Sequence, residues 1–452
     1  MRSPSAETPP TTHPESPEAA ALAARREIEA NEPRNLIVLA LQQILIRVGW
    51  IFKTESIVMP AFIDAIGGTA TMRGCLPMLN RLGHSVPPVL FARRLKLLPK
   101  KRRALTSCTF AMAGPFLLLS VLWFLTGGEG GGWLPWVFLV LYGIFFALVG
   151  MNQLAANTLQ GKLIRATSRG RLLTMSTALG APAAILAAWL LMGRWLALPD
   201  GGFGYLFAFT GGMFAVASLC SLALVEPEDD YWEPPIRLRT HFTSAWQVLR
   251  DDANFRRLTI VAALFGTVLM LFPHYQALGR ERLGLDLDHM LRWVIVQNAG
   301  TGLFSLLAGP VADRQGNRLV LRTAILACAA VPLLAVGITM LDVDVARGLY
   351  WLVFVPIGLT PVAIKTITNY TLEICEPQDH PRYVSTLGFC LALPIVLFSP
   401  LVGALISLTS FELVFCAGAG LIALGGLMSF GLSEPRHHVA GSLDPAGVTV
   451  ED

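Results

Sequence analysis

Again and again along its 452 residues the chain supplies stretches of apolar residues with few charges, and that recurrence constrains its fold more than anything else. The hydrocarbon core of a bilayer is about 30 Å thick, so a helix crossing it needs about 20 such residues. Such stretches lie near 36–58, 70–92, 105–126, 133–157, 172–193 and 203–225. After a polar interval come others near 257–277, 289–311, 320–341, 348–371, 383–408 and 411–432. The expected fold class is all-α: a polytopic membrane protein of about twelve transmembrane helices. Composition agrees, with 54% apolar and 15% charged residues against roughly 45–50% and about 25% in soluble domains. These proportions exclude disorder throughout, a nucleic-acid binder and a disulfide-stapled module, and they argue against a cytosolic enzyme.

The net charge of +4 is too small to mark a polyanionic partner, so what matters is where the charges lie. Lys and Arg collect in cytoplasmic connections. The link after the second stretch carries Arg93, Arg94, Lys96, Lys100, Lys101, Arg102 and Arg103. Those after the fourth, sixth and eighth continue the bias, with Lys162 and Arg165, Arg237 and Arg239, and Arg314 and Arg318 among them. The alternate links are nearly free of Lys and Arg, except after the seventh, where Arg280 and Arg282 accompany Glu281. A multi-pass protein of the cell or inner membrane with both termini cytoplasmic is expected. Lys100 to Arg103 read as a topology signal and a contact for anionic lipid at the cytoplasmic face.

Domain organisation follows: a disordered tail over 1–34 containing a short surface helix at 18–32, a six-helix bundle over 35–225, a linker with an amphipathic helix over 226–256, a second bundle over 257–432 and a tail over 433–452. In the linker, Phe242, Trp246 and Val248 or Leu249 can lie on the membrane surface. The first 34 residues hold no apolar run, so no signal peptide is expected. An internal repeat joins the halves. Thr158-Leu159-Gln160 with Arg169 and Thr371-Leu372-Glu373 with Arg382 share one spacing, offset by 213 residues. The same offset pairs Met59-Pro60-Ala61-Phe62 with Phe272-Pro273-His274-Tyr275. Two matches at one offset, at equivalent places in the span count, read as duplication.

At the end of the eighth stretch stands Gly309-Pro310-Val311-Ala312-Asp313-Arg314-Gln315-Gly316-Asn317-Arg318. This segment resembles the GxxxDRxGxR motif of the major facilitator superfamily, and the resemblance extends over residues 35–433. It implies two pseudo-symmetric six-helix bundles around a cavity that opens alternately to each side, hence a secondary transporter. In such proteins the first, fourth, seventh and tenth helices line the cavity, which carries over to the spans holding Arg47, Asn152, His274 and Lys365. In the motif, the Gly is expected to let helices approach closely, Asp313 to sit at a neighbouring helix N-terminus, and the basic residues to hold the loop at lipid headgroups. The first half departs from the pattern, with Arg93 where the acid is expected and Gln160 opposite Glu373. Conformational locking is therefore assigned to Gly309, Asp313, Arg314, Gly316, Arg318, Glu373 and Arg382.

Charges within spans cost at least about 2.5–3.5 kcal/mol on insertion scales, so they face a wet cavity or a partner. On a continuous helix Gln43, Arg47 and Thr54 fall on one stripe, with Gln42 and Lys53 on a second. The substrate-cavity candidates are Arg47, Lys53, Asn152, His274, Asn298, Lys365 and Asn369. Glu55 either neutralises Arg81 or Arg47 or couples transport to protons. Arg81 and His84 read as structural, and His274 as either a polar helix end or a ligand. Since Arg47, Lys53, Arg81 and Lys365 outnumber Glu55, the expected solute is a small organic anion, or a neutral molecule with an acidic group, bound by Arg47 and Lys365. The alternative reading is a non-transporting sensor or scaffold that keeps the fold.

Neither a phosphate-binding GxxxxGK[ST] loop nor HExxH nor GxSxG occurs, so an enzyme is not expected. The seven cysteines show neither CxxC nor zinc-ligand spacing. Neither cofactor nor metal is expected. The expected partners are a small-molecule substrate, the lipid bilayer and protons, with no nucleic acid, and the chain is expected to be a monomer.

Overall fold

The computed structural model describes residues 17–128, 131–228, 238–376 and 378–434. Eleven helices among them are long and apolar enough to cross a membrane: Arg26–Ile51, Arg102–Leu125, Leu134–Leu163, Thr167–Leu196, Phe203–Ser221, Ala253–Leu283, His289–Gln315, Asn317–Thr339, Val343–Glu373, His380–Leu408 and Phe411–Gly431. Helix Ala70–Lys96 packs among them although it carries five Lys and Arg residues, and supplies the second span of twelve. Its 27 residues reach about 40 Å.

Neighbour relations repeat between the halves. The first span packs on the fifth and sixth, the third on the sixth, and the second on the fourth. The same pattern recurs as seventh on eleventh and twelfth, ninth on twelfth, and eighth on tenth. Between the bundles, the second meets the eleventh and the fifth meets the eighth. In the first core Phe62 gathers Phe138, Phe203, Phe207 and Trp123 at centroid distances of 4.7–5.4 Å. In the second, Trp293 stacks on Phe354 and Tyr275 meets Phe415 edge-on.

Several boundaries differ from expectation. Residues 17–34 are part of one helix, Pro17–Ile51, that runs through Pro33 into the first span. The seventh span begins at Ala253 rather than 257. Three spans are interrupted. The first stops at Ile51 and resumes as Val58–Ala65, the seventh changes helix at Gly266, and the tenth breaks at Gly358 and Leu359. Gly266 stands 213 residues after Lys53, so two interruptions fall at equivalent places in the repeat. Thr54 makes the first tenable, since its hydroxyl accepts from the N–H of Val58 at the new helix start. Because the helix ends there, the stripes drawn through Lys53 and Thr54 do not exist. In the linker, helix Leu238–Asp251 exposes Trp246 and buries Val248; the Phe242 side chain lies outside the described residues.

At the Lys- and Arg-rich end, Glu226 organises the first bundle. Its buried carboxylate accepts from the backbone N–H groups of Lys101 (3.0 Å) and Arg102 (2.7 Å), where the third span begins, and pairs with Lys162 at 3.1 Å. Arg102 also bonds the Leu224 carbonyl, and Lys100 pairs with Glu228. Lys100, Lys101 and Arg102 thus have protein partners where lipid headgroups were expected. Glu226→Ala is expected to cost about 3–5 kcal/mol, as for a buried pair deprived of one member. Glu228→Ala, at an exposed pair, should stay within about 1 kcal/mol. Thermal unfolding in detergent reads both.

Candidate functional site

The two bundles are tied at the end opposite the basic loops. Arg73 of the second span donates to Asp64 of the first at 2.7 Å and to Glu281 of the seventh at 3.0 and 3.1 Å. Gln276 of the seventh donates to the other Asp64 oxygen at 2.9 Å, and Arg280 lies 3.9 Å from it. Ser399 of the eleventh donates to the Gly74 carbonyl at 2.7 Å. A Cβ on Gly74 would strike the Ser399 carbonyl, and one on Gly403 the Ala70 backbone. The fifth and eighth spans touch here too, Gly193 against Leu291.

Deeper in the first bundle the interrupted span places a buried polar cluster. Lys53 is fully enclosed, 3.0 Å from Glu55, with its ammonium 3.2 Å from the Trp50 ring centroid and near Phe145 and Phe146. Asn80 donates to the other Glu55 oxygen. His84 Nδ1 lies 3.0 Å from the Asn80 carbonyl. Glu55, Asn80 and Arg81 line a small cavity with Leu76 and Pro77, closed from the second bundle by Leu269 and Phe272.

The expected cavity residues scatter among several environments. Lys53 faces aromatic rings and Glu55, not open space. Asn152 is buried, accepting from Thr109 at 2.6 Å in a chain that begins at Gln42. His274 is fully buried, with neither ring nitrogen bonded. Asn298 donates to its own helix at Val294. Arg47 is half-buried against Gly180 and forms no ion pair with a described residue. On the tenth span Lys365 is exposed and Thr368 and Asn369 half-exposed, while Thr366, Ile367 and Tyr370 are buried. On the fourth, Gln153 and Asn157 occupy the exposed stripe instead of Asn152. Exposed polar positions within a span are better matched to water than to lipid. One residue of register separates Asn152 from Gln153, below what periodicity resolves. Asp64 stands in the link between the first two apolar stretches and Arg73 at the start of the second, with no local motif to mark either.

Over residues 289–450 the sequence matches the family model described as Major Facilitator Superfamily. The fold is similar to the crystal structure of the nucleoside transporter NupG, in a mutant form, with TM-score 0.70 at 12% identity, covering 89% of this chain and 100% of that one. It is also similar to a bacterial homologue of the human lysosomal transporter Spinster, inward-facing and unoccupied, with TM-score 0.63 at 15% identity, covering 92% and 99%. No curated protein matches the sequence. The sequence thus matches the superfamily over its C-terminal part, and the fold is similar to these two transporters over nearly the whole chain.

The major facilitator motif connects the eighth and ninth spans. Gly316 takes φ +89°, a value suited to glycine. Asn317 donates to Glu373 at 2.7 Å, tying the loop to the tenth span. Arg318 pairs with Glu434 at 2.9 Å and bonds the Leu432 carbonyl, so it anchors the segment after the twelfth span rather than lipid. Arg382 reaches Gln247 of the linker helix. Asp313 and Arg314 are exposed. A Cβ on Gly309 would meet no atom within 4 Å among the described residues, so the close helix approach expected of it is not made by them in this conformation.

The Lys53–Glu55 pair yields a double-mutant prediction. Lys53→Met alone leaves the part-buried Glu55 carboxylate without its cation and should cost about 1–3 kcal/mol. Adding Glu55→Gln should recover most of that loss. Unfolding temperatures of the two single variants and the double variant check it.

Proposed function

We propose that the chain is a secondary transporter that moves a small solute by alternating access, with its basic end open in this conformation. The observation that carries the reading is the unequal packing of the bundles along their length. At one end glycines 74, 193 and 403 are in contact across the interface. At the other, a Cβ on Gly161, Gly170, Gly309 or Gly388 would meet nothing within 4 Å. The fifth and eighth spans, which touch at Gly193 and Leu291, carry Gly170 and Gly309 at their other ends. Packed interfaces are bistable, and these open glycine faces suit the contacts a second state would make.

The positive-inside rule places the basic end, and with it both termini, on the cytoplasmic side. Arg47 and Lys365, one in each half, are the proposed contacts for an anionic solute, with the exposed Gln153 and Asn157 and the half-exposed Asn369 as further polar positions. Glu55 is the proposed proton site, since it is the carboxylate of the central cluster and keeps a partly open face. The chain acts as a monomer.

Three outcomes are expected. Solute flux should occur in liposomes containing the purified protein, and its absence for every anion of a broad panel would favour a sensor. Arg47→Ala and Lys365→Ala should each raise the apparent KM for an anionic solute about tenfold or more, as for loss of a charge-assisted bond; unchanged values in both would refute these contacts. Glu55→Gln should remove the pH dependence of gradient-driven flux; persistence of that dependence would refute the proton role. Separately, Lys365→Cys should react with a membrane-impermeant thiol reagent from the cytoplasmic side. Arg73→Ala, which unties the opposite end, should slow that reaction.

A further inference from the structure

The proposed function assigns Arg47 and Lys365 to contacts with an anionic solute and gives the central cavity beside Glu55 and Arg81 no part in holding it. We propose that Arg81 is the anion-binding residue of the central site, taking the carboxylate of an organic monocarboxylate at the boundary between the two bundles; this rests on the transporter reading above.

The first argument is electrostatic. Within the membrane interior a charge is kept where another group shares it or where it serves a ligand. Arg73, eight residues earlier on the same helix, is bonded to two carboxylates. Arg81 has no hydrogen-bond partner among the described residues, although the Glu55 carboxylate attracts it. That carboxylate is already committed, one oxygen to the Lys53 ammonium and the other to the Asn80 amide. The ionisable groups around the cavity are Arg81, Lys53, Glu55 and His84, with the unbonded hydroxyl of Tyr142 near Glu55 from the fourth span. The seventh span contributes only Leu269 and Phe272 to the lining. Lys53 and Arg81 are two cations beside the one carboxylate of Glu55, and a single negative charge on a ligand completes that balance.

Shape supplies the second argument. The cavity is about 30 Å³, enough for a few atoms of a head group and not for a whole solute. Arg81 and Asn80 stand on one wall, with Leu76, Pro77, Leu269 and Phe272 opposite or beside them. A planar guanidinium matches a planar carboxylate with two parallel bonds. The apolar walls suit a ligand whose charge ends in a hydrocarbon or aromatic body. Position supplies the third. The equivalent interruptions of the first and seventh spans, at Lys53 and Gly266, lie within three residues of Glu55 and Leu269, and paired interruptions in the two halves of a transporter mark its binding site. The cavity draws on both bundles, so a ligand held there senses their relative movement.

The test is binding by the purified full-length protein in detergent, read by thermal unfolding and by calorimetry. The probes are sodium benzoate and sodium hexanoate, their neutral amides, and sodium phosphate and sodium chloride at matched ionic strength. The carboxylates should raise the unfolding temperature in a concentration-dependent way, and the amides should not. Arg81→Gln should weaken carboxylate binding at least tenfold, and Arg81→Lys should restore part of it. Leu269→Trp, which fills the cavity from the other bundle and keeps the guanidinium, should also abolish binding. The proposal is overturned if neither carboxylate stabilises the wild-type protein, if Arg81→Gln binds as the wild type does, or if phosphate or chloride stabilises as well as benzoate does. It also fails if Leu269→Trp binds benzoate normally. Alternating access is judged separately, by thiol labelling at position 365, so loss of either reading is recognisable alone.

Discussion

A bilayer interior accepts a charge only when something shares it, and that single constraint sorts the polar residues of this chain into kinds. Arg73 is shared by Asp64 and Glu281 across the bundle boundary. Lys53 is shared by Glu55 and an indole face. These groups are spent on structure, and removing one partner exposes the full desolvation cost of the other. Arg47, Arg81 and Lys365 are cations of the spans without an ion-pair partner among the described residues. Each lies on a surface that is at least partly open, which is where solute chemistry is available.

The same constraint explains why the bundles hold at one end. An apolar interface gains little inside lipid, because acyl chains solvate Leu and Val as well as protein does. Close backbone approach at glycine and shared charges are what remain, and both occur at Gly74, Gly403 and the Arg73 network. The charged tie is open on one side: the Glu281 side chain keeps 52% of its surface exposed, and polar contacts open to water are weak. A tie of that kind can be exchanged for another of similar strength at the opposite end, which a two-state element requires.

Much of the architecture was legible in the sequence because it rests on long-range averages. Span count, the cation bias of the connections and the 213-residue repeat all survive errors of several residues in any boundary. The site depends on finer detail. The break at Lys53 is made by local hydrogen bonding from Thr54, and it moved Lys53 from an expected cavity wall into an aromatic cage. Asn152 and Gln153 differ by one position, about 100° of helix, and that angle decides which faces the cleft. Asp64 and Arg73 find each other only after folding and meet Glu281 more than two hundred residues away. Glu226 looked like one acid in an acidic turn, yet it receives two backbone N–H groups and a lysine.

The account turns on bundles that part at one end while meeting at the other. The most direct test is the distance between spin labels on Gly170→Cys and Gly309→Cys, in the fifth and eighth spans, measured by pulsed electron resonance in lipid nanodiscs. Two populations are expected, with the shorter distance enriched when Arg73→Ala unties the far end. A single distance, the same with Arg73 and without it, would contradict alternating access by this chain.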